Sequence, residues 1–366
     1  MSMNALTSLF GGYADSDWLN LAKLLSTPPP PIVPVTDMSM NAVIGLFGGD
    51  GRSETVNFAS LFGYTPPTSV FQWIGVRQRF EGFNRNLLLT PSQRRDGMTK
   101  WKGVVSCLNR HYYGTVSETD NSFLIGSWGK DTSNRPPRDV DLYFVMPYAV
   151  YERFEGHAWN RQSALLQEVK DVLGNTYPAT DMSGDGQVVL VRFETYNVEV
   201  VPAFRLKDDR YWICNTTGGG SYKVSDPSTE ANCIEAVDQA NNRNLRPVIR
   251  MLKAWQANCS EPPLKSFQLE LLAADFLGKS PWRFNNFFYF DWIIRDFFLY
   301  LYHRANSIIL VPGTSEQIYL GNEWQSRAQS AYSRAVKACG HEKNNLVEDA
   351  GEEWQKIFGQ QIPRTV

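Results

Sequence analysis

The sequence predicts an α/β chain in two lobes: a mixed sheet flanked by helices, followed by a helical lobe. Three observations carry this. Strand-like apolar runs occur at 139–146, 187–194 and 196–204, with a helical pattern at 160–173 between the first two. Beyond a glycine-rich loop at 218–220 the apolar spacing becomes helical for the rest of the chain. A length of 366 residues, 43% hydrophobic and 13% aromatic, is enough to bury a substantial core. The resulting divisions are 1–70, an extension, then 71–228, the sheet lobe, and 229–366, the helical lobe.

In the extension, Met1-Ser-Met-Asn-Ala leads to Leu9-Phe-Gly-Gly, and Met38-Ser-Met-Asn-Ala leads to Leu46-Phe-Gly-Gly. Two copies are too few for a solenoid, and the proline run 28–31 between them favours an extended linker. From 71 to 113 the spacing is helical and basic residues are frequent (Arg77, Arg79, Arg85, Arg94, Arg95, Lys100, Lys102, Arg110), a pattern that usually marks a solvated face, with an anion-binding or partner-contacting surface as the alternative. A helical run at 104–114 ends in Gly114, and Gly126-Ser127 forms a turn. The Asp185-Gly186 turn opens the second strand run. Helices are expected at 230–239, 245–258, 264–277, 284–305 and 323–338, with a tail helix over 342–358. The greasiest of them, 284–305, is interrupted by Asp291, Arg295 and Asp296 at helical spacing, so it reads as an amphipathic core helix and not a bilayer span.

The charge balance excludes several function classes. With 36 basic and 38 acidic residues the formal charge is -2, without the basic excess expected of a protein that lives on nucleic acid backbone. Five dispersed cysteines, never spaced as C-x-x-C, support neither a disulfide framework nor a zinc site. Four scattered histidines form no metal-ligand pattern. The N-terminus lacks a basic region before an apolar core, so the expected location is the cytoplasm, with no membrane partner.

The chemistry concentrates between 126 and 146. Strand residues two apart share a face, so Asp139 and Asp141 present paired carboxylates while Val140, Leu142 and Phe144 point the other way. Mg²⁺ takes one or two carboxylates plus phosphate oxygens, and the amides and hydroxyl of Gly126 and Ser127 suit a phosphate. Lys130, Arg135 and Arg138 add attraction for an anion. A lone D-x-D is weak, but Glu199 sits between valines on a strand expected to pair nearby. A buried carboxylate there needs a partner, either a cation or a salt bridge to Arg192 or Arg205. Tyr211 or Tyr222 could stack a base, although tyrosines beside strands are more often core. Gly278-Lys279-Ser280 is no P-loop, because Ala273 occupies the place of its first glycine and a helix precedes it.

Gly126-Ser127, eleven further residues, Asp139-Val-Asp141 and then Val198-Glu199-Val200 resemble the nucleotidyltransferase superfamily pattern of Gly-Ser, D-x-D and a distal acid. Arg250-Met-Leu-Lys-Ala-Trp and Leu264-Lys-Ser-Phe-Gln-Leu-Glu resemble the bacterial cGAS/DncV-like nucleotidyltransferases (CD-NTases) of anti-phage CBASS signalling. The likeness covers about 75–340; the N-terminal repeat departs from it. It implies a polymerase-beta-like mixed sheet packed against a C-terminal helical lobe. It also implies that Asp139, Asp141 and Glu199 bind two Mg²⁺ ions, with Mn²⁺ as an alternative, that Ser127 holds the triphosphate, and that Lys253 and Ser266 steady its tail. The implied activity is synthesis of a cyclic di- or trinucleotide from ATP, with GTP as a second candidate substrate, for a separate effector protein. Two alternatives stay open: transfer to another acceptor (RNA, protein or small molecule), and a catalytically silent nucleotide-binding module.

Overall fold

The computed structural model describes residues 74–157, 160–260 and 264–366, so the predicted extension over 1–70, with its repeat and proline run, lies outside the described residues. The first two elements are α1 (Ile74–Leu87) and α2 (Pro91–Tyr112). Between them Thr90 starts a new helix: its hydroxyl accepts from the Gln93 amide, the Gln93 side chain accepts from the Thr90 amide, and Pro91 takes the first helical position, where no amide is needed.

The sheet lobe follows in the order β1 (Ser122–Leu124), α3 (Gly126–Gly129), β2 (Asp139–Val145), α4 (Tyr148–Glu155), α5 (Arg161–Thr176), β3 (Asp181–Asp185), β4 (Val188–Arg192), β5 (Asn197–Arg205), β6 (Tyr211–Asn215) and β7 (Ser221–Ser225). Strands β2 and β5 are parallel and central; every other pairing is antiparallel, which makes the sheet mixed. The path runs β1-β2-β5-β4-β3, with β6 on the far half of β5 and β7 on β6. One face packs on α2 and α5: Val104, Val105 and Leu108 meet Leu165, Leu166 and Val169 across Val140, Leu142, Phe144, Val198 and Val200. Fully burying each such side chain is worth roughly 1.5–3 kcal/mol.

The helical lobe comprises α6 (Pro227–Ala240), α7 (Leu245–Asn258), α8 (Ser266–Lys279), α9 (Phe290–Tyr302), a β8–β9 hairpin (Ile308–Leu310, Gln317–Tyr319), α10 (Gln325–Lys343) and α11 (Val347–Phe358). The expected 284–305 helix is shorter, because Asn286 caps a 3-10 turn at Phe287–Tyr289 before α9 begins. Asp291 on α9 is buried, not solvated as an amphipathic pattern would place it. Among the described residues no helix is long and apolar enough to cross a membrane.

The helix α1 belongs to the core of the helical lobe. Its Val76, Phe80, Phe83 and Leu87 are fully buried in the core formed with Trp255, Phe298, Trp354 and Phe358, so it packs in the helical lobe although it precedes the sheet. Its physical anchor is Arg79, fully buried, which donates to Glu342 (3.0 Å) and to the carbonyls of Val347 (2.6 Å), Pro363 (2.5 Å) and Arg364 (2.7 Å). All five cysteines are free thiols.

Candidate active site

Parallel pairing of β2 with β5 sets the register: Asp139 lies opposite Asn197, and Asp141 opposite Glu199. Paired residues share a face, so the three acids stand together on the side away from α2 and α5, while Val140, Leu142, Val198 and Val200 are buried on the other. Asn197 Nδ2 donates to Asp139 Oδ1 at 2.9 Å and orients it. Arg192 and Arg205, the basic residues weighed as partners for Glu199, pair with Asp181 and Asp209.

The turn above β2 is held against the acids by its backbone. The Ile125 amide donates to the Asp141 carbonyl at 2.9 Å, and Gly126 has φ +56°. A Cβ there would lie 2.1 Å from Asp141 Oδ2, so glycine answers both the backbone conformation and the close approach of a carboxylate. Ser127 follows, its carbonyl accepting the Thr132 amide at 2.8 Å and its hydroxyl 3.4 Å from that of Ser133. Trp128 anchors the turn, buried edge-on against Tyr196.

The loop from α3 to β2 leans on the helical lobe. Arg246 donates to the Lys130 carbonyl (2.9 Å), Arg250 to that of Asp131 (2.6 Å), and Asn134 to that of Arg250 (2.7 Å). Between loop, sheet and helices lies a cavity of about 470 Å³ lined by Gly126, Ser127, Asp139, Asp141, Lys253 and Ser266 among others. The structure therefore gathers six of the seven sequence-selected residues on one cavity, with Glu199 beside Asp141 in register. Ser266 opens α8 one residue inside the cap position, and its hydroxyl donates to Gln256 Oε1 at 2.8 Å.

Tyr211 packs with Phe123 and Tyr143, and Tyr222 stacks on Trp212 within the sheet core, so both belong to aromatic clusters. Sequence reasoning missed Thr132, Glu230 and Glu270, which also line the cavity. Glu270 carried the same signal as Glu199, an acid between two apolar residues, Leu269 and Leu271. Burial pushes the Glu230 carboxyl up to about 7, with Lys130 opposing.

Burial, then the charge of Asp139, push Asp141 up to about 6, while Lys253, Lys130 and a hydrogen bond with Glu199 pull the other way. A buried carboxylate beside a second negative charge, as Asp141 is, is the environment a cation relieves. Among the described residues no group of three or more His, Cys, Asp or Glu side chains is placed to hold a metal ion. The Asp139–Asp141 pair offers the one or two carboxylates that Mg²⁺ takes beside phosphate oxygens.

Residues 74–241 match the family described as Second Messenger Oligonucleotide or Dinucleotide Synthetase domain. Over those residues the chain resembles the cGAS/DncV-like nucleotidyltransferases. Enzymes of this family generally use divalent metal ions. The chain is 22% identical over 275 residues to a probable cyclic nucleotide synthase of Bacillus cereus (strain VD146), covering 65% of this chain and 81% of that protein. Its fold matches CdnC of E. coli MS115-1, solved in complex with HORMA-deltaN, at TM-score 0.58 and 18% identity, over 80% of this chain and 99% of that one. It also matches Vibrio cholerae DncV cyclic AMP-GMP synthase, solved with the linear intermediate 5' pppA(3',5')pG, at TM-score 0.55 and 15% identity, over 83% and 94%.

Proposed function

We propose that this nucleotidyltransferase joins nucleotides in the cavity between its lobes and closes them into a cyclic di- or trinucleotide. Its substrate is ATP, with GTP as a second candidate, and pyrophosphate leaves at each step. The observation that carries the reading is the β2–β5 register, which sets Glu199 beside Asp141 on the face where Gly126 and Ser127 arch over the same carboxylate. Residue for residue this follows the Gly-Ser, D-x-D and distal-acid pattern.

In each transfer a ribose hydroxyl oxygen bonds to the α-phosphorus of a bound nucleotide as the bond to pyrophosphate breaks, and the hydroxyl proton is lost. Two Mg²⁺ ions, when bound, would supply the polarisation of that hydroxyl and neutralise charge on the phosphates. Asp139 and Asp141 would hold the ion on the donor triphosphate, and Asp139 with Glu199 the ion at the acceptor hydroxyl. The amides and hydroxyl of Gly126 and Ser127 grip phosphate oxygens, while Lys253 and Ser266 steady the tail from the helical side. The product acts as a messenger in antiviral defence in the cytoplasm, on an effector that is a separate protein. Support for that wider role is the likeness to cyclic nucleotide synthases.

Mass spectrometry of products formed from all four nucleoside triphosphates with Mg²⁺ tests the reading. Phosphatase-resistant cyclic species are expected, and Asp139→Ala with Asp141→Ala abolishes pyrophosphate release. Exclusively linear or acceptor-attached products would overturn cyclisation.

A further inference from the structure

One end of the cavity holds more fixed charge than phosphate binding by Lys253 requires. Glu270 on α8, with its side chain 3% exposed, receives Lys253 Nζ on Oε1 at 2.6 Å and Lys130 Nζ on Oε2 at 2.5 Å. The Thr132 hydroxyl donates to the same Oε1 at 2.8 Å. Lys253 also donates to the Thr132 carbonyl (3.1 Å) and hydroxyl oxygen (2.9 Å). One carboxylate thus ties the loop after α3 to two helices of the other lobe.

The electrostatics give that tie a purpose. A lysine taken out of water without a counter-ion tends to give up its proton. Burial lowers the Lys253 pKa and Glu270 opposes that most strongly; Lys130 adds to the depression and Asp141 opposes it. Burial would likewise raise Glu270, yet Lys253 and Lys130 hold it at about 2. Two ammonium groups on one carboxylate leave an excess positive charge facing the cavity.

We propose that Glu270 is a positioning residue for nucleotidyl transfer: its buried carboxylate keeps Lys253 charged and fastens the Lys130–Thr132 segment to α7 and α8. The triphosphate end of the cavity is thereby assembled before a nucleotide arrives. This inference rests on the nucleotide reading of the cavity. The charged groups facing Lys253 are Glu270 on α8, Lys130 on the loop and Asp141 on β2.

Isothermal titration of inorganic tripolyphosphate into the full chain reads the effect, with each variant taken as a ratio to the unaltered protein at each pH. Glu270→Gln should bind within about threefold of the unaltered protein near pH 6.5 and at least about tenfold more weakly near pH 8.5, because Lys253 then deprotonates as pH rises. Glu270→Asp keeps the charge and should keep the ratio constant. Lys130→Met combined with Glu270→Gln keeps the cluster at the net single positive charge of the unaltered protein and should retain the pH dependence. A ratio that does not change with pH, no tripolyphosphate binding by the unaltered protein, or failure of both Gln variants to fold overturns the proposal. If instead the variants show the expected ratios but the unaltered protein makes no nucleotide product, the functional reading fails while the role of Glu270 stands.

Discussion

Replacing Gly126 with alanine attacks the junction of turn and acid at a single atom. The new Cβ would sit 2.1 Å from Asp141 Oδ2, whereas contacts under 3.0 Å are not tolerated, so the carboxylate must retreat by 3.0 − 2.1, or 0.9 Å. A displacement of about 1 Å in a reacting group costs roughly a hundredfold in rate. Alanine at φ +56° adds about 1–2 kcal/mol of backbone cost, which lowers the melting temperature by a few degrees. Gly114 supplies the control, since it has φ +66° but nothing within 4 Å of the place a methyl would take. Gly114→Ala should therefore share the loss of stability and keep full activity. Steady-state pyrophosphate release and thermal melts of both variants separate the two effects. Activity of Gly126→Ala within about threefold of the unaltered enzyme would refute the argument, because the methyl could then be accommodated without moving Asp141.

Other perturbations probe the helical lobe. Burial, then the charge of Glu342, push Asp291 up to about 8 against the pull of Arg295, so the native state keeps a proton that the unfolded chain releases from about pH 4 upward. Stability should fall as pH rises from about 4 to about 8, and Asp291→Asn should flatten that slope in urea melts and gain on the order of several kcal/mol at the upper end; an unchanged slope would reject the assignment. Arg79→Met leaves Glu342 buried without its guanidinium partner, with an expected loss of about 3–5 kcal/mol by calorimetry, partly restored by adding Glu342→Gln. A loss below about 1 kcal/mol would mean that the pair contributes no more than a surface one.

Much of this architecture could be read from residue patterns, and the exceptions have a common cause. The runs at 139–146, 187–194 and 196–204 were legible because strong apolar patterning fixes a strand and its inward face, and the observed strands differ by at most two residues at any end. The helix expected at 160–173 starts at Arg161, after Asn160 caps it through Ser163. By contrast β1 has three residues and β3 reads DMSGD, with no apolar repeat to announce it; both exist through pairing with β2 and β4. At the site, period-two alternation put Asp139 and Asp141 on one face, and a carboxylate between valines singled out Glu199. The contact between Thr132 and Glu270 joins positions 138 apart, and no local pattern encodes such a meeting.

The place of α1 has a consequence for dissecting this molecule. The chain passes from the helical body into the sheet body at 88–90 and back again near 226, so the two halves are joined by a pair of crossings. A gene fragment beginning at Pro91 would leave a greasy trough where Val76, Phe80, Phe83 and Leu87 had been. A protease nick near 226, in turn, would leave both pieces gripping each other through that same helix, and autonomous production of the helical half would need α1 supplied in trans.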